Sequence, residues 1–189
     1  MYQDIKNYVM AADNADQAAF RLTYAFNARA TADIKQNQIQ GVIAGVAAAS
    51  LLFVPGMQIA MLPAVIAIGG YFIDRFRRQN MALKDTFDDI LKVAETDADF
   101  KHHMRPLTAV FEDVHDWGQK DIARLKEFHF KSVQGIAATL VTPLLYLPAL
   151  PLVPMIFLGN IDVTASKAIA DKSEDIGVSL HNKYPDLKV

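Results

Sequence analysis

QNQIQGVIAGVAAASLLFVPGMQIAMLPAVIAIGGYFI, residues 36–73, decides how this chain is read, because none of its thirty-eight residues is Asp, Glu, Lys or Arg. The run stops abruptly at Asp74-Arg75-Phe76-Arg77-Arg78. A second charge-free run, SVQGIAATLVTPLLYLPALPLVPMIFLGNI, fills residues 132–161. One membrane helix needs about 20 apolar residues, so thirty-eight are too many for a single span. Each run also carries a turn signal near its middle: Val54-Pro55-Gly56 in the first, Leu147-Pro148-Ala149-Leu150-Pro151 in the second. Proline removes a backbone donor and crowds the preceding turn, which ends or kinks a helix. Each run therefore reads as a helical hairpin with an uncharged tip.

The arms of these hairpins are short. Residues 40–54, 57–73, 133–147 and 152–161 would span about 15–26 Å at 1.5 Å per residue, against a hydrocarbon core of roughly 30 Å. Hairpins that dip in from one side, or span only marginally, fit better than four regular spans. A helix that is apolar all round can equally be the centre of a soluble bundle. Two charge-free hairpins exceed what one small core needs, so membrane insertion is the expectation.

Composition agrees with a few embedded segments in an otherwise water-compatible chain. The 189 residues are 52% hydrophobic, with a mean hydropathy of +0.13 and a net charge of −2. No general basic field is available for nucleic acid. There is no cysteine, which removes disulfides, thiolate catalysis and cysteine metal sites. Met1 to Asn14 lacks the apolar core of a secretory signal, so none is expected.

The charge-bearing segments read as amphipathic helices. In residues 1–35, Ile5, Tyr8, Val9, Ala12, Ala15, Ala19, Leu22 and Phe26 recur at three- and four-residue spacing, with an interruption expected near Ala12-Asp13-Asn14. In residues 74–131, Leu83, Phe87, Ile90, Leu91 and Ala94 form one face. Thr96-Asp97-Ala98-Asp99 is a helix start, and Pro106 opens or kinks the next helix, whose face is Leu107, Val110, Phe111, Val114, Trp117, Ile122 and Leu125. In residues 162–189, Ala165, Ile169, Ile176 and Leu180 line a last helix that ends before Asn182-Lys183-Tyr184-Pro185. No stretch alternates with period two, so the fold class is all-α: a membrane-embedded helical protein with two apolar hairpins flanked by amphipathic helices.

A faint repeat supports two similar halves. Ile39-Gln40-Gly41-Val42 and Val133-Gln134-Gly135-Ile136 open the hairpins, and Asp88-Asp89-Ile90 and Glu174-Asp175-Ile176 follow them. Gly41-x-x-x-Gly45 has the spacing that lets helix backbones approach closely, so Gly41 and Gly45 are the helix-packing candidates. Arg75, Arg77 and Arg78, with Lys131 before the second hairpin, are the lipid-headgroup candidates. A solvated cationic helix end would account for the same residues. Both hairpins return the chain to its starting side, which places both termini in the cytoplasm.

Chemistry finds no foothold. Glu112-x-x-His115 has di-metal helix spacing but no second copy, and His102, His103 and Asp116 nearby do not complete a site. Phosphate loops and hydrolase motifs are absent from the sequence. Neither catalytic residue, metal nor cofactor is expected. Three functions stay open: a membrane-shaping or anchoring scaffold that self-associates, a pore-former, and a soluble helical interaction protein. The first plan resembles the reticulon-type hairpin proteins in layout, and the second resembles the colicin-type pore-forming domains in layout and approximate size. The lipid bilayer is the expected partner.

Overall fold

A computed structural model describes residues 2–50, 58–113, 123 and 164–187, and every regular element among them is an α-helix. They are α1 (Tyr2–Met10), α2 (Ala15–Ser50), α3 (Gln58–Val93), α4 (98–113) and α5 (Thr164–Lys183). The all-α expectation holds. Among the described residues, no helix is long and apolar enough to cross a membrane. The tip of the first hairpin, the whole second hairpin and Lys131 lie outside the described residues, as do His115 and Asp116.

Local chemistry sets the helix starts. The chain breaks between α1 and α2 where the sequence suggested, and Asn14 Oδ1 there accepts from the Gln17 backbone N–H at 2.8 Å. That satisfies one of the donors a helix start leaves open. Asp97 does the same for α4, accepting from the N–H groups of Asp99 at 3.1 Å and Phe100 at 3.0 Å. This cap begins α4 well before Pro106, which lies inside the helix rather than opening it.

The hairpin arms differ from the short helices expected. α2 runs unbroken for 36 residues through the Lys35/Gln36 boundary, and α3 for 36 residues through Ile73. The physical reason is local: neither boundary holds a proline or glycine, and a change of side-chain polarity does not interrupt backbone hydrogen bonding. Each first-hairpin arm is therefore the extension of an amphipathic helix.

Two compact units divide the chain. The first comprises Met1–Ile34, Arg78–Trp117 and Val163–Val189; the second comprises Lys35–Arg77 and Gly118–Asp162. In the first unit, α2 and α3 run antiparallel, since Phe26 meets Phe87 and, further along α2, Asp33 meets Gln79 earlier in α3. Its core takes Val9, Leu22 and Phe26, then Leu83, Phe87 and Ile90, then Phe100, Met104, Leu107 and Phe111, and finally Ile169 and Leu180. Phe87 and Phe111 stack at 4.8 Å, and Phe26 meets Phe111 edge-on at 5.9 Å. Such pairs add about 0.5–1.5 kcal/mol each beyond their buried area.

α5 docks through small contacts. Asn27 donates to the Ala170 carbonyl at 3.1 Å, and buried Ser166 donates to buried Asn80 at 2.8 Å. A Cβ on Gly177 would sit 3.3 Å from Thr23 Oγ1, so glycine there permits the close approach. In the one repeat pair that is described on both sides, Ile90 and Ile176 are buried while Asp89, Glu174 and Asp175 face outward. In the second unit, α2 and α3 are tied where the Arg75 guanidinium donates to Gln40 Oε1.

Candidate functional site

α2 changes character along its length. In its first half the inward face is apolar, with Ala19, Leu22, Phe26 and Ala30 all buried. Asp33, the next inward position, is a buried carboxylate held by Arg29 at 2.7 Å and by the Gln79 amide at 3.1 Å. A buried ionised group needs such partners to offset the loss of its hydration.

Beyond Ile34 the pattern inverts. Asn37, Gly41 and Gly45 are buried, while Ile39, Val42, Ile43 and Val46 are 52%, 42%, 63% and 57% exposed. Asn37 and the two glycines face inward, and branched aliphatics face outward, beside exposed Gln36 and Gln38. A helix in a water-soluble bundle does the opposite, since burying a Val or Ile side chain is worth about 1.5–3 kcal/mol. A helix surrounded by lipid has nothing to gain by hiding aliphatics and instead turns small and polar residues toward its neighbours.

α3 contributes two more features to this unit. Phe72 and Phe76 are buried, but Tyr71 is 59% exposed with its ring edge-on to Phe72 at 5.5 Å. Tyr71 sits three residues before Asp74, where the charge-free run ends, and an amphipathic ring at that level suits a membrane–water boundary.

The candidates named by sequence fare differently. Gly41 and Gly45, the helix-packing candidates, are buried. Arg75 is committed to Gln40, and Arg77 pairs with Asp74 at 3.3 Å. Arg78 is exposed, and on an α-helix it projects well away from Arg77 and closer to Arg75. Asp74 cancels part of this cluster's charge, so it is a weaker anion attractor than its composition suggests.

Of the histidine cluster, His102 and His103 meet edge-on at 6.0 Å. His103 Nε2 lies 2.8 Å from Asp16 Oδ1, joining α4 to the first turn of α2. His102 and Glu112 are exposed, and no group of metal-ligating side chains is assembled among the described residues. What sequence reasoning overlooked is the inward polar ladder. Asp33, Asn37, Gly41 and Gly45 recur at four-residue spacing as a polar–polar–small–small series on one helical face, a spacing that by itself does not tell which way the face turns.

The chain matches no protein-family model, no curated protein and no solved structure.

Proposed function

We propose that this protein is a non-enzymatic, membrane-inserted helical scaffold whose second unit enters one leaflet of a bilayer. The observation that carries this reading is the inverted arm of α2: Asn37, Gly41 and Gly45 inward, Ile39, Val42, Ile43 and Val46 outward. From Ile39 to Val46 the outward stripe covers eight residues, about 10 Å along the axis. The whole first arm, residues 40–54, would reach about 22 Å at 1.5 Å per residue, short of the roughly 30 Å hydrocarbon core, so it would dip in from one side as a wedge and not as a span. A wedge in one leaflet favours curvature and anchoring. Burial of Asn37, Gly41 and Gly45 keeps water from the inner face of this arm among the described residues, which favours scaffold over pore. Self-association belongs to the proposal and would use surfaces other than these glycines.

The test is one vesicle experiment that reads flotation and dye release together. Purified protein should float with liposomes and leave a trapped dye inside. Flotation with dye release would replace the scaffold by a pore. Protein that stays in plain buffer and ignores vesicles would make the apolar arms an ordinary protein interior and end the proposal.

A further inference from the structure

We propose that a cleft along α4 in the first unit is a seat for the phosphate of an anionic lipid headgroup, and that it supersedes Arg75, Arg77 and Arg78 in that role. The proposal rests on the membrane reading for its biological setting, but its chemistry stands on the cleft alone. The cleft has a volume of 640 Å³ and lies between Leu91 of α3 and one face of α4. That volume is within the range of about 300–1,000 Å³ usual for small-molecule sites.

Lys101 and Arg105 stand one turn apart on the lining face, both exposed, and neither has an ion-pair or side-chain hydrogen-bond partner among the described residues. That sets them apart from Arg29, Arg77, Lys84, Lys92 and Lys172, each paired with a carboxylate. An ammonium and a guanidinium at this spacing converge on one tetrahedral anion, with the guanidinium able to engage two of its oxygens. His102 adds a ring nitrogen on the same wall. Leu91, Ala98 and Ala109 give the cleft apolar surface, which a free inorganic ion cannot use and the glycerol end of a phospholipid can. Glu112 lies seven residues beyond Arg105, about 10 Å along the axis. It opposes a second phosphate there, so the site suits a single phosphodiester better than a polyphosphate chain.

The experiment uses the full chain in three forms: wild type, K101Q/R105Q and R75Q/R77Q. Flotation is measured on phosphatidylcholine vesicles with and without phosphatidylglycerol. Two surface cations near an anionic membrane correspond to an enhancement on the order of 30-fold. The wild type should show that enhancement, K101Q/R105Q should lose most of it while floating on pure phosphatidylcholine as before, and R75Q/R77Q should keep it. Retention by K101Q/R105Q, or loss in R75Q/R77Q alone, overturns the assignment. Both variants alter residues at least partly open to solvent, and matching thermal melts establish that they fold.

A second arm removes the bilayer. Monomeric dihexanoyl phosphatidylglycerol is titrated into each form while the His102 ring proton shifts are followed by NMR. Shifts in the wild type that vanish in K101Q/R105Q support the cleft even if no vesicle is bound, so failure of the membrane reading and failure of the cleft are told apart. Absence of shifts overturns the cleft. Equal shifts with sodium phosphate identify a free-phosphate site and overturn the lipid assignment.

Discussion

Replacing Ile43 and Val46 together by glutamine separates the two ways of reading the α2 arm, because they demand opposite effects on stability and on membrane binding. Fully burying a Val or Ile side chain is worth about 1.5–3 kcal/mol. Ile43 is 63% exposed and Val46 57%, so that fraction of each side chain remains to be removed from water on entering lipid. Scaling gives about 1–2 kcal/mol per residue, or about 3 kcal/mol for the pair. At about 1.4 kcal/mol per decade, I43Q/V46Q should lower vesicle partitioning on the order of 100-fold. Folding should barely change, since exposed substitutions away from special features usually fall within about 0.5 kcal/mol. Glutamine is also a good helix former, which keeps backbone propensity out of the comparison. The assays are liposome flotation over a lipid titration and urea unfolding in the absence of lipid. If these residues were core, the double variant would instead lose several kcal/mol of stability. A large loss of stability, or unchanged flotation, would refute the reasoning.

Other consequences of the fold are equally direct. D33A removes the acceptor shared by Arg29 and Gln79 from a buried position, and should cost about 2–4 kcal/mol in urea unfolding; a loss under about 1 kcal/mol would mean the pair is not held as described. F87A should cost about 3–5 kcal/mol, and a double-mutant cycle with F111A should return a coupling of about 0.5–1.5 kcal/mol for the stacked rings. D97A should cost about 1 kcal/mol and speed hydrogen exchange selectively at Asp99 and Phe100, the two amides that Asp97 accepts from.

Much of the first unit was legible in the sequence. Three- and four-residue spacing placed Val9, Leu22, Phe26, Leu83, Phe87, Ile90, Leu107, Phe111, Ile169 and Leu180 on inward faces, and all of them are buried. Periodicity works there because apolar and polar residues alternate around the helix, so the buried face is written in the pattern itself. Asn14 and Asp97 marked helix starts for a similarly local reason: a side chain reaches a backbone donor two or three residues away. Of the two readings of Pro106, opening or kinking the helix, the first falls because the Asp97 cap supplies the start.

The second unit is the reverse case. From Gln36 to Ser50 the sequence contains no charged residue, and nearly every direction around the helix offers something apolar or small. Helical period cannot choose a face when the contrast around the helix is so weak. Only packing decided that Asn37, Gly41 and Gly45 turn inward and that Ile39, Val42, Ile43 and Val46 turn outward. A tertiary contact likewise commits Arg75 to Gln40, whereas Arg77 finds Asp74 within its own helical turn and Lys101 and Arg105 remain unpaired among the described residues. By itself the sequence determined helix type, several boundaries and the inward face wherever polarity alternates, because those follow from contacts a few residues long. Which surface faces out, and which charge stays unspent, depend on neighbours distant in the chain, and those only the fold supplies.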